Sequence, residues 1–504
     1  MDDTGSEHGR GDPQGTPPRV PLASPAARWL VAAAVLGSGI AFLDSTVVNV
    51  ALPAIGRDLN TGLTGQQWVL DGYLLSLSAL LLAGGAAGDR YGRRRVFLGG
   101  LAVFTVASVV CGLAPTVGWL IAARIVQGVG AAALVPGSLA MIDVGIRNED
   151  RAQAVGLWAG MSGVTSALGP FIGGWLVDSA SWRWVFLLNV PLAVAAIWIT
   201  VRHVPESRAT TIHGHPDLAG AAAVMIGLAG VIYPLIEVPS HGWTAAALTA
   251  VAVGVLGLLV FAVIETRVQA PLLPLGMFRS RQFSGANLTT FAVYAALGGA
   301  LFLLTLQLQQ SLHYSALVAG VATLPITVIM LIGSPWAGSI AQRTGPRLPM
   351  TVGPLVAAAG LALMARITPG ASYLSAVLPA VVVFGVGLMI TVTPLTAAVL
   401  AAVPESQAGT ASGVNNAVAR LAGLLAVAML PVAAGINPGV GEPLGHGFST
   451  AMVIAAAASA CGGIVAAVTI RTGADVAHHV LAGTSQACQH PCTKSADSGA
   501  RRRN

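Results

Sequence analysis

From Trp29 to Ile470 the sequence alternates long apolar runs with short polar connections. A spanning helix needs roughly 20 mostly apolar residues, and lipid offers backbone groups no partner outside the helix itself. Runs of this length therefore restrict the chain to a bundle of bilayer-crossing helices. They lie near 29–52, 67–88, 96–114, 118–143, 152–176, 184–201, 217–236, 244–264, 284–310, 316–341, 348–366, 373–402, 408–434 and 447–470. The expected fold class is an all-α integral membrane protein of about fourteen transmembrane helices. Composition agrees: 9% of the residues are charged and 55% are hydrophobic, where a soluble protein carries about 25% charged residues.

The arginines set the orientation. Residues 84–97, GGAAGDRYGRRRVF, read as a tight basic turn between the second and third helices, with Asp89 against Arg90, Arg93, Arg94 and Arg95. Such an excess of cations belongs on the cytoplasmic side. Alternating from there, the cytoplasmic connections also hold Arg147, Arg151, Arg202, Arg208, Arg267, Arg279, Arg281, Arg343 and Arg347, against Arg57, Arg183 and Arg366 outside. Both termini are then cytoplasmic, in a multi-pass protein of the cytoplasmic membrane. The net charge of +6 is accounted for by topology, since the arginines lie between apolar runs and not along one face as a nucleic-acid footprint requires. No nucleic-acid partner is expected. Four cysteines, Cys111, Cys461, Cys488 and Cys492, make no disulfide framework. His478, His479, Cys488, His490 and Cys492 in the polar tail are too irregularly spaced to predict a metal site, and no cofactor is expected.

The expected organisation is a disordered cytoplasmic tail over 1–27, a six-helix bundle over 28–202, an inserted helix pair with its linkers over 203–283, a second six-helix bundle over 284–470, and a disordered tail over 471–504. An internal repeat supports the two bundles. GAAGDRYGRR at 85–94 aligns without gaps on GSIAQRTGPR at 338–347, and in the same register Gly156 and Gly160 fall on Gly409 and Gly413. Gln342 stands in the second copy where the first has Asp89. Repeats of this kind are the usual build of secondary transporters, with the substrate site between halves near the midplane.

Ionisable groups inside spanning helices are costly and mark function by default. Asp44, Asp71 and Arg124 fall in the first half at similar predicted depth, which makes a buried charge cluster plausible. A carboxylate in a low-dielectric cavity takes up a proton more readily, an adjacent guanidinium opposes this, and movement of one relative to the other would switch protonation. A static ion pair holding helices together is the competing reading, and Asp71 is also placed to face outer water. The second half has only Glu405 and Glu442, both in connections. Its polar candidates are Gln307, Gln309, Gln310, Asn415, Asn416 and Arg420, suited to a bulky, mostly apolar ligand or to interhelical hydrogen bonds. On the fifth helix Gly160, Gly163, Gly169, Pro170, Gly173 and Gly174 predict close packing and a broken hydrogen-bond ladder.

These residues resemble the major facilitator superfamily and, within it, the fourteen-helix drug:proton antiporters. LDSTVVNVALP at 43–53, the 85–95 stretch, RIVQGVG at 124–130, GPFIGG at 169–174 and WRWVFLLNVP at 182–191 are similar to that branch's motifs, and the resemblance covers roughly residues 29–470. It implies a proton-coupled exporter of amphipathic small molecules, with protons and membrane lipid as its other partners. It implies a role for Arg124 in proton transfer and an exporter-type fifth helix at Gly169, Pro170, Gly173 and Gly174. It also implies a conformational latch at Gly85, Asp89, Arg90, Gly92, Arg93 and Arg94, in which Asp89 meets a helix N-terminus near Gln407 to Gly409 in the outward-facing state. A facilitator or proton symporter for a metabolite is the alternative. An enzyme is disfavoured by the lack of a metal-ligand cluster or nucleophile–base pair in the membrane portion, and a nucleotide-driven pump by the missing GxxxxGK[ST]. Neither the substrate nor the oligomeric state is carried by these motifs.

Overall fold

The computed structural model describes residues 19–208, 217–268, 271–404, 407–436 and 443–471. Among them are fourteen helices long and apolar enough to cross a membrane. In chain order the helices are α1 Pro25–Asp58, α2 Leu63–Tyr91, α3 Arg93–Gly112, α4 Val117–Gly145, α5 Asn148–Ser179, α6 Arg183–Leu187, α7 Asn189–His203, α8 Leu218–His241, α9 Ala245–Arg267, α10 Arg281–Leu306, α11 Ala316–Thr344, α12 Arg347–Met364, α13 Leu378–Leu400, α14 Ala408–Ala433 and α15 His446–Thr469. The sixth crossing is divided between α6 and α7 at Leu188. Ser24, Thr116, Asp217, Thr244, Ser280 and Ser315 cap the helices that follow them by accepting a backbone N–H.

The helices run alternately, so the bundle has a basic end, with the start of α1 and the α2–α3 joint, and a far end, with the α1–α2 connection. α1 to α7 pack among themselves, as do α10 to α15. α8 and α9 pack against each other through Gly227, Gly230, Gly254 and Gly257, where an added Cβ would meet the opposing backbone. The pair lies on the seam between α2 and α14, with Leu228, Ile232 and Ile236 against Leu75, Ala79, Leu424 and Ala428.

Three expectations change. The 84–97 stretch is a turn at one residue only: Gly92, with φ 110°, joins α2 directly to α3, and Arg93, Arg94 and Arg95 form the first helical turn. The second repeat makes the same demand, since Gly345 at φ 79° joins α11 to α12. Residues 19–24, expected within a disordered tail, are held at the basic end, where Val20 N–H donates to Gly145 O at 2.9 Å and Leu22 N–H to Asp150 at 2.9 Å, and helix starts at Pro25. Third, α5 packs closely over part of its length only: an added Cβ at Gly156, Gly160 or Gly163 meets nothing within 4 Å. The His/Cys tail, Glu405 and Glu442 lie outside the described residues.

Candidate functional site

Asp44 on α1 and Arg124 on α4 meet in a wholly buried ion pair, Nη1 to Oδ2 at 2.5 Å. The carboxylate is further held by Gln127 and Asn189, whose amides each donate to Oδ1 at 2.9 Å. Three hydrogen bonds from two helices, α4 and α7, thus converge on one anion of α1. Arg124 also donates through Nε to Val69 O at 3.1 Å and through Nη1 to Gln127 at 2.7 Å, and its guanidinium stacks 4.2 Å from the Tyr73 ring. Charge-assisted bonds of this kind repay desolvation only while every member is in place. A cavity of about 70 Å³ adjoins the pair, lined by Ser45, Asn49, Leu70, Tyr73, Leu74, Arg124, Gly298, Gly423 and Val427. It lies between the two groups of helices.

Gln127 and Asn189 were not singled out in the sequence, although both sit inside the quoted motifs. A neutral amide leaves no hydropathy signal, but Gln127 is three residues after Arg124 and so shares its helix face. Asp71 departs from the expected cluster. It is buried, not water-facing, and neither of its carboxyl oxygens has a hydrogen-bond partner among the described residues. Trp68 and Leu75, one turn either way on α2, contact α8 or the α8–α14 seam, while Leu74 lines the cavity with Arg124, so Asp71 lies between these two faces and forms no ion pair with Arg124.

The candidate ligand residues of the second half separate. Gln307, Gln309 and Gln310 lie in a π-helical turn after α10, at the far end. Gln307 donates to Ile367 O at 2.9 Å and accepts from Ser311, while Gln309 donates to Val50 O on α1 at 2.9 Å. Those amides are committed to backbone, which is the interhelical one of the two expected uses, and Gln310 is buried beside them. Asn415 accepts from Thr290 at 2.7 Å. Asn416 and Arg420 are half-buried on α14, with the Arg420 guanidinium 5.1 Å from the Phe42 ring on α1.

Contacts between the two groups of helices are tightest at the far end. Gln67 donates to Val427 O at 2.7 Å. Asp178 accepts from Ala316 N–H at 3.1 Å and Leu317 N–H at 2.8 Å, capping α11 from α5. The glycine motif explains why the backbones approach so closely. Gly169 and Gly173 face Thr46 and Val47 on α1, whereas Gly174 faces Ala316 and Leu317, and Gly320 faces Pro170 O. Pro170 cannot donate to Ser166 O, and the Thr46 hydroxyl stands 3.2 Å from that carbonyl. Toward the basic end the groups part, as the open surroundings of Gly160, Gly163 and Gly409 record. Asp178→Ala is expected to remove about 1 kcal/mol of capping, about a fivefold shift away from the far-closed state. Spin-label distances across α5 and α11 would measure it, and an unaltered distribution would exclude a gating role.

At the basic end Asp89 pairs with Arg93, Nη2 to Oδ1 at 2.6 Å. Arg94 donates to Val201 O at 2.7 Å, and Gly85 lies beside Pro136. Three arginines at a helix N-terminus oppose the helix dipole. Glu206 offsets them by accepting from the N–H groups of Arg94 and Arg95 at 3.1 and 3.2 Å. Glu206 was not foreseen, because its partner lies 112 residues away.

Fourteen apolar helices, two packed groups joined at one end and a buried ion pair beside a cavity between them define a membrane carrier of the alternating kind. The Major Facilitator Superfamily profile matches residues 34–427, and the chain belongs to that family. Among curated relatives it is 37% identical over 408 residues to the puromycin resistance protein pur8 of Streptomyces alboniger, covering 80% of this chain and 81% of that one. It is 36% identical over 401 residues to the methylenomycin A resistance protein of Bacillus subtilis (79% and 85%). It is 34% identical over 402 residues to the tetracenomycin C resistance and export protein of Streptomyces glaucescens (79% and 74%). The fold is similar to that of a bacterial homologue of the human lysosomal transporter Spinster in an inward-facing conformation, with a TM-score of 0.64 at 16% identity over 89% of this chain and 98% of that one. A POT family transporter gives 0.67 at 13% identity (93% and 99%).

Proposed function

We propose that the protein is a proton-coupled exporter of amphipathic small molecules, of the drug or antibiotic class, in the cytoplasmic membrane. The observation that carries this reading is the wholly buried Asp44–Arg124 pair, tied to three helices and bordering the cavity between the halves. The names of the relatives, resistance and export proteins, support the direction of transport. In this reading the basic end and both termini are cytoplasmic by the positive-inside bias, and the described state is inward-facing. Residues 28–202 and 284–470 rock against each other, and 203–283 supplies the inserted pair.

A proton entering from outside neutralises Asp44. The carboxyl then loses its charge-assisted bonds with Arg124, Gln127 and Asn189, and the freed Arg124 shifts the balance between states. Asp71, buried and unpartnered, is the second carrier of a proton in the first half. Asp89 with Gly85, Arg90, Gly92, Arg93 and Arg94 forms the latch of the opposite, outward-facing state, where a carboxylate at the N-terminus of α14 would meet its dipole. Asp89→Ala is accordingly expected to slow transport severalfold while substrate binding persists. Complete loss of binding in a folded protein would instead make the joint part of the site.

The reading is tested in inverted membrane vesicles with an imposed and then collapsed proton gradient. Gradient-dependent accumulation of a lipophilic compound panel is expected. Accumulation that survives collapse would leave a facilitator in its place.

A further inference from the structure

We infer that the space between the halves where Arg420 faces Phe42, beside the small cavity, takes an aromatic anion, an amphipathic molecule whose carboxylate or acidic phenol pairs with Arg420 while its ring lies against Phe42. This rests on the exporter reading and narrows it to one substrate class. Arg420 stands midway along α14, and among the described residues no carboxylate forms a salt bridge with it. Its recorded neighbours are the Phe42 ring at 5.1 Å and, within electrostatic reach, Tyr73 and Tyr294, phenols that are neutral near pH 7.

Tyr73 connects Arg420 to the ion pair, because the Arg124 guanidinium lies over its ring at 4.2 Å. Asp44 spends its charge on Arg124, and the second half has no acid between Asn287 and Ile470 except Glu405 and Glu442 in connections. Arg420 is therefore left, among the described residues, as a cation without a counter-ion beside the cavity. Nη2 of Arg124 is buried without a hydrogen-bond partner among the described residues, and Arg124 lines the cavity together with Gly423, one turn from Arg420. A guanidinium without a counter-ion, as at Arg420, is costly in low dielectric, and an anionic head group recovers that cost where a cation adds repulsion. The cavity's roughly 70 Å³ admits no ring system, so the rings lie outside it, toward Phe42, with the head group at Arg420.

The test is equilibrium binding to the purified full chain, by fluorescence anisotropy, of two dyes on one three-ring scaffold: anionic fluorescein and cationic rhodamine 6G. Wild type is expected to favour fluorescein by at least about tenfold. Arg420→Gln should abolish that preference by weakening fluorescein alone, and Arg420→Lys should retain it at lower affinity, since Lys keeps the charge without the planar fork. If Arg420→Gln does not fold, the wild-type ratio and the Lys variant decide. Equal or tighter binding of rhodamine 6G, equal loss of both dyes in Arg420→Gln, or no fluorescein binding would each overturn the inference. Export that ignores the proton gradient would refute the exporter reading while leaving this equilibrium preference untouched.

Discussion

Asp44→Asn is expected to reduce proton-driven export in inverted vesicles to the level of the gradient-collapsed control, a loss of at least about 100-fold, or roughly 2.7 kcal/mol. Two effects act together. The substitution removes the proton-accepting group, and it leaves Arg124 as a buried cation without its counter-ion, a change that costs about 3–5 kcal/mol when one member of a buried pair is deleted. Shape is conserved, but an amide at position 44 presents a donor to Arg124 or to the donating amides of Gln127 and Asn189, which reach the carboxylate at 2.9 Å. The variant's membrane abundance and its dye binding separate loss of coupling from loss of fold. Export that still follows the imposed gradient at the wild-type rate would remove Asp44 from the coupling step and leave the pair a static brace.

Gly320→Val is expected to have a comparable effect through sterics alone. A Cβ at position 320 would stand 2.2 Å from Pro170 O and 2.7 Å from its carbonyl carbon. The obstacle is backbone, so no side-chain rotation relieves it, and α5 and α11 must separate. Overpacking of this kind costs about 1–3 kcal/mol, enough to shift the ratio of far-closed to far-open states by about 5- to 150-fold. With the native cysteines replaced, spin labels at Ser179 and Val318, both exposed at the far end, should report a longer distance in the variant, and transport should fall because the cycle can no longer close there. Gly163→Val, whose Cβ meets nothing within 4 Å, is the control expected to leave the described state unchanged. A wild-type distance distribution in Gly320→Val would mean that the glycine contact does not limit closure.

Much of the candidate site was legible because the membrane makes it so. A charge within an apolar run has no bland surface explanation, and Asp44 and Arg124 stood out for that reason. Asp71 stood out equally, but hydropathy does not tell which helix face carries a residue toward which neighbour, and its lack of a hydrogen-bond partner among the described residues was not readable. Gln307 and Gln309 stayed open between two readings because a glutamine that binds a ligand and one that binds a carbonyl 60 or 259 residues away are the same letter in the same kind of run.

By itself the sequence determined the number of crossings, their alternation, the basic end and the repeat, because each follows from local chemistry: apolar length, charge on connections, and the positive φ that Gly92 and Gly345 supply at corresponding joints. The tertiary structure decided which polar groups became partners and which end of the bundle closed. Those outcomes depend on contacts between helices distant in the chain, such as Asp178 with the start of α11 and Gln127 and Asn189 with Asp44. A buried hydrogen bond is fixed by the one neighbour within 3 Å, and a neighbour is set only when all the helices have packed.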